Sequence, residues 1–194
     1  MKSNFLIAFI VCLWLGLIAV GNSILLNYNN QADQTNNHPT TWPANSKITP
    51  SSKQPTLLMF IHPKCPCTRA SLEELNRLLT NFPDSLNCHV VFFKADATEA
   101  DWHRTDLWQK ANKMKNLQVD LDEKGEEAKL FSVKSSGRVL LYDTNAHLLF
   151  SGGLTASRGH EGDNIGRTSI EYYLRTGQMK EDSAPSFGCA LFKA

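Results

Sequence analysis

Apolar and polar positions divide the chain into stretches of different character. Phe5 to Val20 is uncharged and almost wholly apolar, and it continues through Gly21-Asn22-Ser23 into Ile24-Leu25-Leu26. A helix apolar on every side does not pack like a core helix with a single buried stripe. Counted to Leu26, the run reaches the roughly 20 residues that span a bilayer as a helix. Counted to Val20, it suits a signal-peptide core, with Ala19-Val20-Gly21 as a small-x-small cleavage site. The longer reading, an uncleaved anchor over residues 1–26, is preferred. Lys2 on the short side then keeps that end in the cytoplasm and exports the rest.

Residues 27–55 are polar, rich in Asn, Thr, Ser, Gln and Pro, and lack apolar periodicity. They read as a flexible linker with a reach on the order of 30 Å, Trp42 being a lone aromatic within it. The folded domain is expected over 56–194. Thr56 to His62 is a continuous apolar run, as in a strand covered on both faces. Leu72, Leu75, Leu78, Leu79 and Phe82 follow one helical stripe that Pro83 closes. Cys88 to Lys94 is a second buried strand, and Trp102 to Met114 a helix with Asp101 as its cap. A short helix over Glu126–Phe131, a hairpin of 139–143 and 147–151, and a helix from Ile165 to Thr176 complete the pattern. Asp163 or Asn164 starts that last helix and Gly177 stops it. The order β-α-β-α, then hairpin and helix, predicts an α/β thioredoxin-like three-layer sandwich, a central mixed sheet with helices on both faces, preceded by the transmembrane helix.

Composition changes this picture little. A net charge of +1 leaves no basic surplus for phosphates, which sets nucleic acid aside as a partner. Of five cysteines, Cys12 lies in the apolar segment as a passive small residue. Cys88 begins a buried strand and reads as inert core. The chemistry gathers at His62-Pro63-Lys64-Cys65-Pro66-Cys67-Thr68-Arg69, where a buried strand feeds two thiols onto a helix start.

Pro66 disfavours a helical Cys65 and suits the first helical position itself. Cys65 is therefore expected just outside the helix, with Pro66 and Cys67 in its first turn. Only then do the sulfurs approach, since residues i and i+2 of a helix diverge. The helix amino terminus, with Lys64 and Arg69 nearby, favours a thiolate at Cys65, the expected more exposed thiol. A disulfide over one intervening residue is a small strained ring and readily reduced. A tyrosine phosphatase signature fails, because only three residues separate Cys65 from Arg69. Two cysteines do not complete a tetrahedral zinc site. Cys189 is a third thiol able to fold back over the pair. His62, three residues before Cys65, is placed to tune a thiolate or bind metal. Ser151 to Asn164 carries four glycines with Arg158, His160, Glu161 and Asp163, and it reads as a long turn or as a loop bringing His160 toward the cysteines.

The stretches His62–Leu75, Ser136–Asp143, Phe150–Asn164 and Phe187-Gly188-Cys189 resemble those of membrane-anchored bacterial thioredoxin-like proteins of the RedB group. The resemblance covers most of the exported domain and implies its fold and a thiol site. Two departures from wider thioredoxins stand out. One residue rather than two separates Cys65 and Cys67, and Ser136-Gly137 stands where that family has a cis-proline guiding peptides and keeping metals off. The site expected is Cys65 and Cys67 as the redox pair with Cys189 as third thiol, shaped by His62, Pro66, Arg69, Ser136, Gly137, Arg158 and His160. The leading expectation is a thiol–disulfide oxidoreductase without a cofactor, single-pass in the inner membrane. Its domain would face the periplasm or exterior and meet a protein or small-molecule thiol or disulfide. Cys65 attacks, Cys67 resolves, and Cys189 relays or protects. The alternatives are a copper-binding or delivery module using Cys65, Cys67, His160 and Cys189, since soft thiolates select Cu(I), and a non-catalytic assembly protein.

Overall fold

The structure, a computed structural model, describes residues 2–33, 35, 37–96 and 99–192, without the side chains of Lys2 and Ser3. Residues 34 and 36 of the expected linker, and 97, 98, 193 and 194 of the expected domain, lie outside these. The chain divides into two compact units, 1–31 and 32–194. The first is a single helix, α1 (Lys2–Asn30), long and apolar enough over Asn4–Asn30 to cross a membrane.

The second unit is built on five strands, β1 (Thr56–Ile61), β2 (Asn87–Lys94), β3 (Gln118–Glu123), β4 (Arg138–Tyr142) and β5 (Leu148–Gly153), in the order β3-β2-β1-β4-β5. β1, β2 and β3 run parallel, while β4 is antiparallel to β1 and β5 to β4. The helices are α2 (Thr68–Asn81), α3 (Asp106–Ala111), α4 (Glu126–Leu130) and α5 (Ile165–Thr176). β1 is buried at every position, and its alternate side chains enter two cores. Leu57, Met59 and Ile61 meet Leu72, Leu75 and Leu78 of α2, Leu107 of α3 and Ile170 of α5. Leu58 and Phe60 meet Phe131, Tyr142, Ile48 and Leu191 on the other face, under α4.

Three expectations need correction. β3 was not anticipated, although Val119 and Leu121 alternate with Asp120 and Asp122 as a one-sided strand requires. α3 begins only at Asp106 after Thr105, and turns replace the helix expected from Trp102. The described residues of 32–55 are not a flexible linker: Trp42 and Ile48 insert singly into the core, and several polar groups find partners in the domain. Trp42 packs edge-on against Phe131 and Tyr142, both at 5.0 Å between ring centroids, and its indole N–H donates to the Ile48 carbonyl at 3.1 Å. Ser46 and the Lys47 N–H both donate to the Glu127 carboxylate at 2.7 Å. Asp33 pairs with Arg138, a fully buried side chain of the sheet, at 3.2 Å.

Candidate functional site

The chain leaves β1 through consecutive turns. The Cys65 N–H donates to the His62 carbonyl (3.0 Å), that of Thr68 to Cys65 (3.3 Å) and that of Arg69 to Pro66 (3.4 Å). α2 starts at Thr68 with Cys67 as its N-cap. Cys65 thus lies off the helix as expected, while Pro66 and Cys67 form the turn before the helix rather than its first turn. Pro66 has no N–H to leave unpaired there.

The exposure of the two thiols is the reverse of that expected. Cys65 is 1% exposed and Cys67 is half-buried. The cover is the carboxyl-terminal segment, which pairs with the residues before β4. The Ser136 N–H donates to the Cys189 carbonyl and the Leu191 N–H to the Lys134 carbonyl, each at 2.8 Å, around a bridge between Ser135 and Ala190. Gly188 lies so close to this edge that a Cβ would fall 1.7 Å from the Ser136 carbonyl oxygen. This pairing sets the Cys189 sulfur 2.9 Å from that of Cys65, with the Cys189 N–H directed at the Cys65 sulfur at 3.4 Å.

Burial opposes ionisation of Cys65. It is outweighed by hydrogen bonds from the Cys189 thiol, the Thr68 hydroxyl and the backbone N–H groups of both residues, so the Cys65 pKa falls below its ordinary 9.0. Burial, then the charge of Cys65, raises Cys67 against a hydrogen bond from Arg158. Burial, then the bond to Cys65 and its charge, pushes Cys189 up to about 12. Cys65 is therefore the thiol of the three that ionises most readily, while Cys67 and Cys189 are held protonated. A thiolate held beside two neutral thiols has the parts for thiol–disulfide exchange.

The other sequence-predicted residues divide. The Ser136 hydroxyl accepts from the His62 N–H at 2.8 Å and bonds the Thr68 hydroxyl at 2.7 Å, bracing the turn under Cys65. Gly137 has φ +84° and donates to the Phe60 carbonyl at 2.7 Å, which directs the 134–136 edge toward the thiols. Arg158 donates to the Gly188 carbonyl at 2.9 Å and bonds Cys67. It is the cation that reaches the sulfurs, in place of Lys64 and Arg69. Lys64 lies over the Trp102 ring, and Arg69 pairs with Asp106. The His62 ring stacks on Phe93 and meets Trp102 edge-on, with Nδ1 accepting from the Lys64 N–H. Burial and the Lys64 charge hold it below its usual pKa. His160 is exposed on the loop, and its described bond is through the backbone to Ser157. Burial pushes the Cys88 thiol up, consistent with inert core.

Three contributors were not singled out from the sequence. Thr68 follows Cys67 directly at a helix start, where a hydroxyl meets free N–H groups, and that signal was available. Gly188 precedes Cys189, but its role depends on a partner 52 residues away. Glu74 is fully buried on α2 and accepts from Arg77, Arg167 and the Gly162 N–H at 2.7–2.9 Å, which anchors the loop that carries Arg158.

Sheet order, strand directions and helix placement define a thioredoxin-like α/β domain. No family model matches the chain, and no curated protein does. Among solved structures it is similar to an uncharacterized conserved protein from Geobacillus kaustophilus, with 20% identity, TM-score 0.66, and coverage of 84% of this chain and 97% of that one. It is also similar to a hypothetical protein from Sinorhizobium meliloti 1021, at 16% identity and TM-score 0.63 over 83% and 96% of the two chains. An exposed lipoprotein thioredoxin from Streptococcus pneumoniae aligns at 22% identity and TM-score 0.46 over 63% and 84%.

Proposed function

We propose that this protein is a membrane-tethered thiol–disulfide oxidoreductase whose domain works outside the cytoplasm. The observation that carries the reading is the thiol cluster at the start of α2, in which hydrogen bonds overcome burial to lower the Cys65 pKa. The thiolate is the form that attacks a disulfide. Cys67 and Cys189 both contact Cys65 and both retain protons, so either can resolve a mixed disulfide. The substrate is a protein or small-molecule disulfide or thiol. The RedB-like resemblance of the Cys-Pro-Cys stretch supports the same reading, and α1 supplies the tether.

The test is turnover of a disulfide substrate by the full chain in detergent micelles. Cys65→Ser should remove turnover, a loss of at least about a hundredfold in rate if the thiolate is the nucleophile. Full turnover without Cys65 sinks the proposal.

The copper alternative would rest on the soft sulfurs of Cys65, Cys67 and Cys189, His160 being exposed on its loop. Stoichiometric tight binding in an anaerobic Cu(I) titration would support that reading, and no binding would rule it out.

A further inference from the structure

The Cys-Pro-Cys spacing directs attention to Cys67, but the closest sulfur contact at Cys65 comes from the other end of the chain. We infer that Cys189, delivered by segment 186–191, is the thiol that resolves Cys65, and that the same segment is the lid over it. The inference rests on the proposed thiol exchange and assigns its second half-reaction.

Several independent features seat this segment. Ser186 is bridged to Asp33 and exchanges backbone bonds with it at 2.8 and 3.3 Å. Phe187 and Leu191 are buried on either side of Cys189. Arg158 holds the Gly188 carbonyl. The Ser136 and Lys134 bonds fix the backbone of Cys189 and Leu191. From this seat, a Cys65–Cys189 bond requires the sulfurs to close by about 0.9 Å from 2.9 Å, since a disulfide is about 2.05 Å long. A Cys65–Cys67 bond would instead close a ring over one residue, inside a turn already fixed by three backbone hydrogen bonds.

The lid follows from the same contacts. Cys65 is 1% exposed beneath the segment, so a disulfide substrate reaches it only when 186–191 lifts. The Cys65 thiolate attacks one substrate sulfur, a Cys65–substrate bond forms, the substrate S–S bond breaks, and the second sulfur leaves as a thiolate. The segment reseats, and Cys189 gives up its proton to that thiolate. Cys189 then attacks the Cys65 sulfur: a Cys65–Cys189 bond forms, the mixed disulfide breaks, and the first substrate sulfur leaves. Two electrons pass to the substrate, and a second dithiol, oxidised in its turn, resets the site. In the mixed disulfide Cys65 carries no charge. The hydrogen bond and the repulsion from Cys65 that help hold the proton on Cys189 are then gone, leaving burial and the charge of Cys67 opposed by Arg158.

Three measurements on the full chain in micelles test this. After oxidation by one equivalent of a diazenedicarboxamide, peptide mapping should find Cys65 joined to Cys189; a Cys65–Cys67 bridge overturns the inference. With an aromatic disulfide as probe, Cys189→Ser should retain a stable adduct on Cys65 while Cys67→Ser releases it; the reverse pattern also overturns it. Gly188→Ala forces the segment off Ser136 and should raise Cys65 alkylation by about tenfold or more if local opening limits access. An unchanged alkylation rate removes the lid. If Gly188→Ala fails to fold, the serine pair still decides the resolving thiol. Loss of substrate turnover with the Cys65–Cys189 bridge intact would count against the proposed function alone, and turnover with a Cys65–Cys67 bridge against this inference alone.

Discussion

At Cys65 the fold lowers the pKa of a buried thiol from 9.0, while at Cys67, Cys88 and Cys189 it raises it. The two directions act on stability in different pH windows. Between the lowered Cys65 value and 9.0, the folded protein has lost a proton that the unfolded chain keeps. Stability therefore rises with pH there, is fully present above 9.0, and is lost as pH falls through the Cys65 value. Above 9.0 the unfolded thiols at 67, 88 and 189 ionise while the folded ones keep their protons, so stability falls. Urea midpoints of the reduced protein should climb toward about pH 9 and then decline. Cys65→Ser should flatten the climb and leave the part of the decline that comes from the burial of Cys67, Cys88 and Cys189. A climb that persists in Cys65→Ser would show that the thiolate is not stabilised at that residue.

The strap from Ala32 to Pro55 and the carboxyl-terminal segment are the elements with least sequence signal and most consequence. Both are irregular, and each is held by single inserted side chains and backbone bonds to distant residues, which leave no periodic trace. The strands and helices that do repeat, from Thr56 to Ile61, along the leucines of α2 and over Ile165 to Thr176, could be read directly. So could Gly177 with its φ of +74° as the last stop. At the site, the two motif cysteines and the off-helix position of Cys65 were legible from Pro66, whereas the burial of Cys65 was not, because its cover lies 124 residues away. Asp33 shows how much the strap contributes. Burial raises its pKa, but hydrogen bonds from the Thr35 hydroxyl and N–H and the charge of Arg138 outweigh that and hold the carboxyl well below its usual range. Arg138 is fully buried, and its Nε and Nη1 have no partner among the described residues, so Asp33 is its counter-charge. Asp33→Asn should cost about 3 kcal/mol by leaving that guanidinium uncompensated. It should also speed tryptic cleavage after Lys47 and Lys53, which a packed strap resists. Rapid cleavage there in the wild type, with no change in the variant, would return the segment to a flexible linker.

At the scale of the whole molecule, α1 must be reconciled with a domain that starts almost at once. Only Gln31 and Ala32 separate Asn30, the last residue of α1, from Asp33, the first bridged residue. Large side chains of α1, among them Phe5, Phe9, Trp14, Leu17 and Leu25, are more than half exposed. Each forgoes about 1.5–3 kcal/mol if left in water, a cost that a lipid surrounding would relieve. A cleaved signal peptide would also begin with this helix, but cleavage after Gly21 would leave Asn22 to Asn30 as a short polar-ended remnant. With the anchor retained, carbonate-washed membranes should hold the whole chain, and mass mapping should recover peptides from before Ala19. Intact cells treated with a membrane-impermeant maleimide should label the half-buried Cys67 without lysis, placing the thiols outside the cytoplasm. A soluble product starting near Asn22 would make the segment a signal peptide. Labelling that requires lysis would reverse the orientation and put the cysteines in a reducing compartment, which would count against the proposed role outside the cytoplasm.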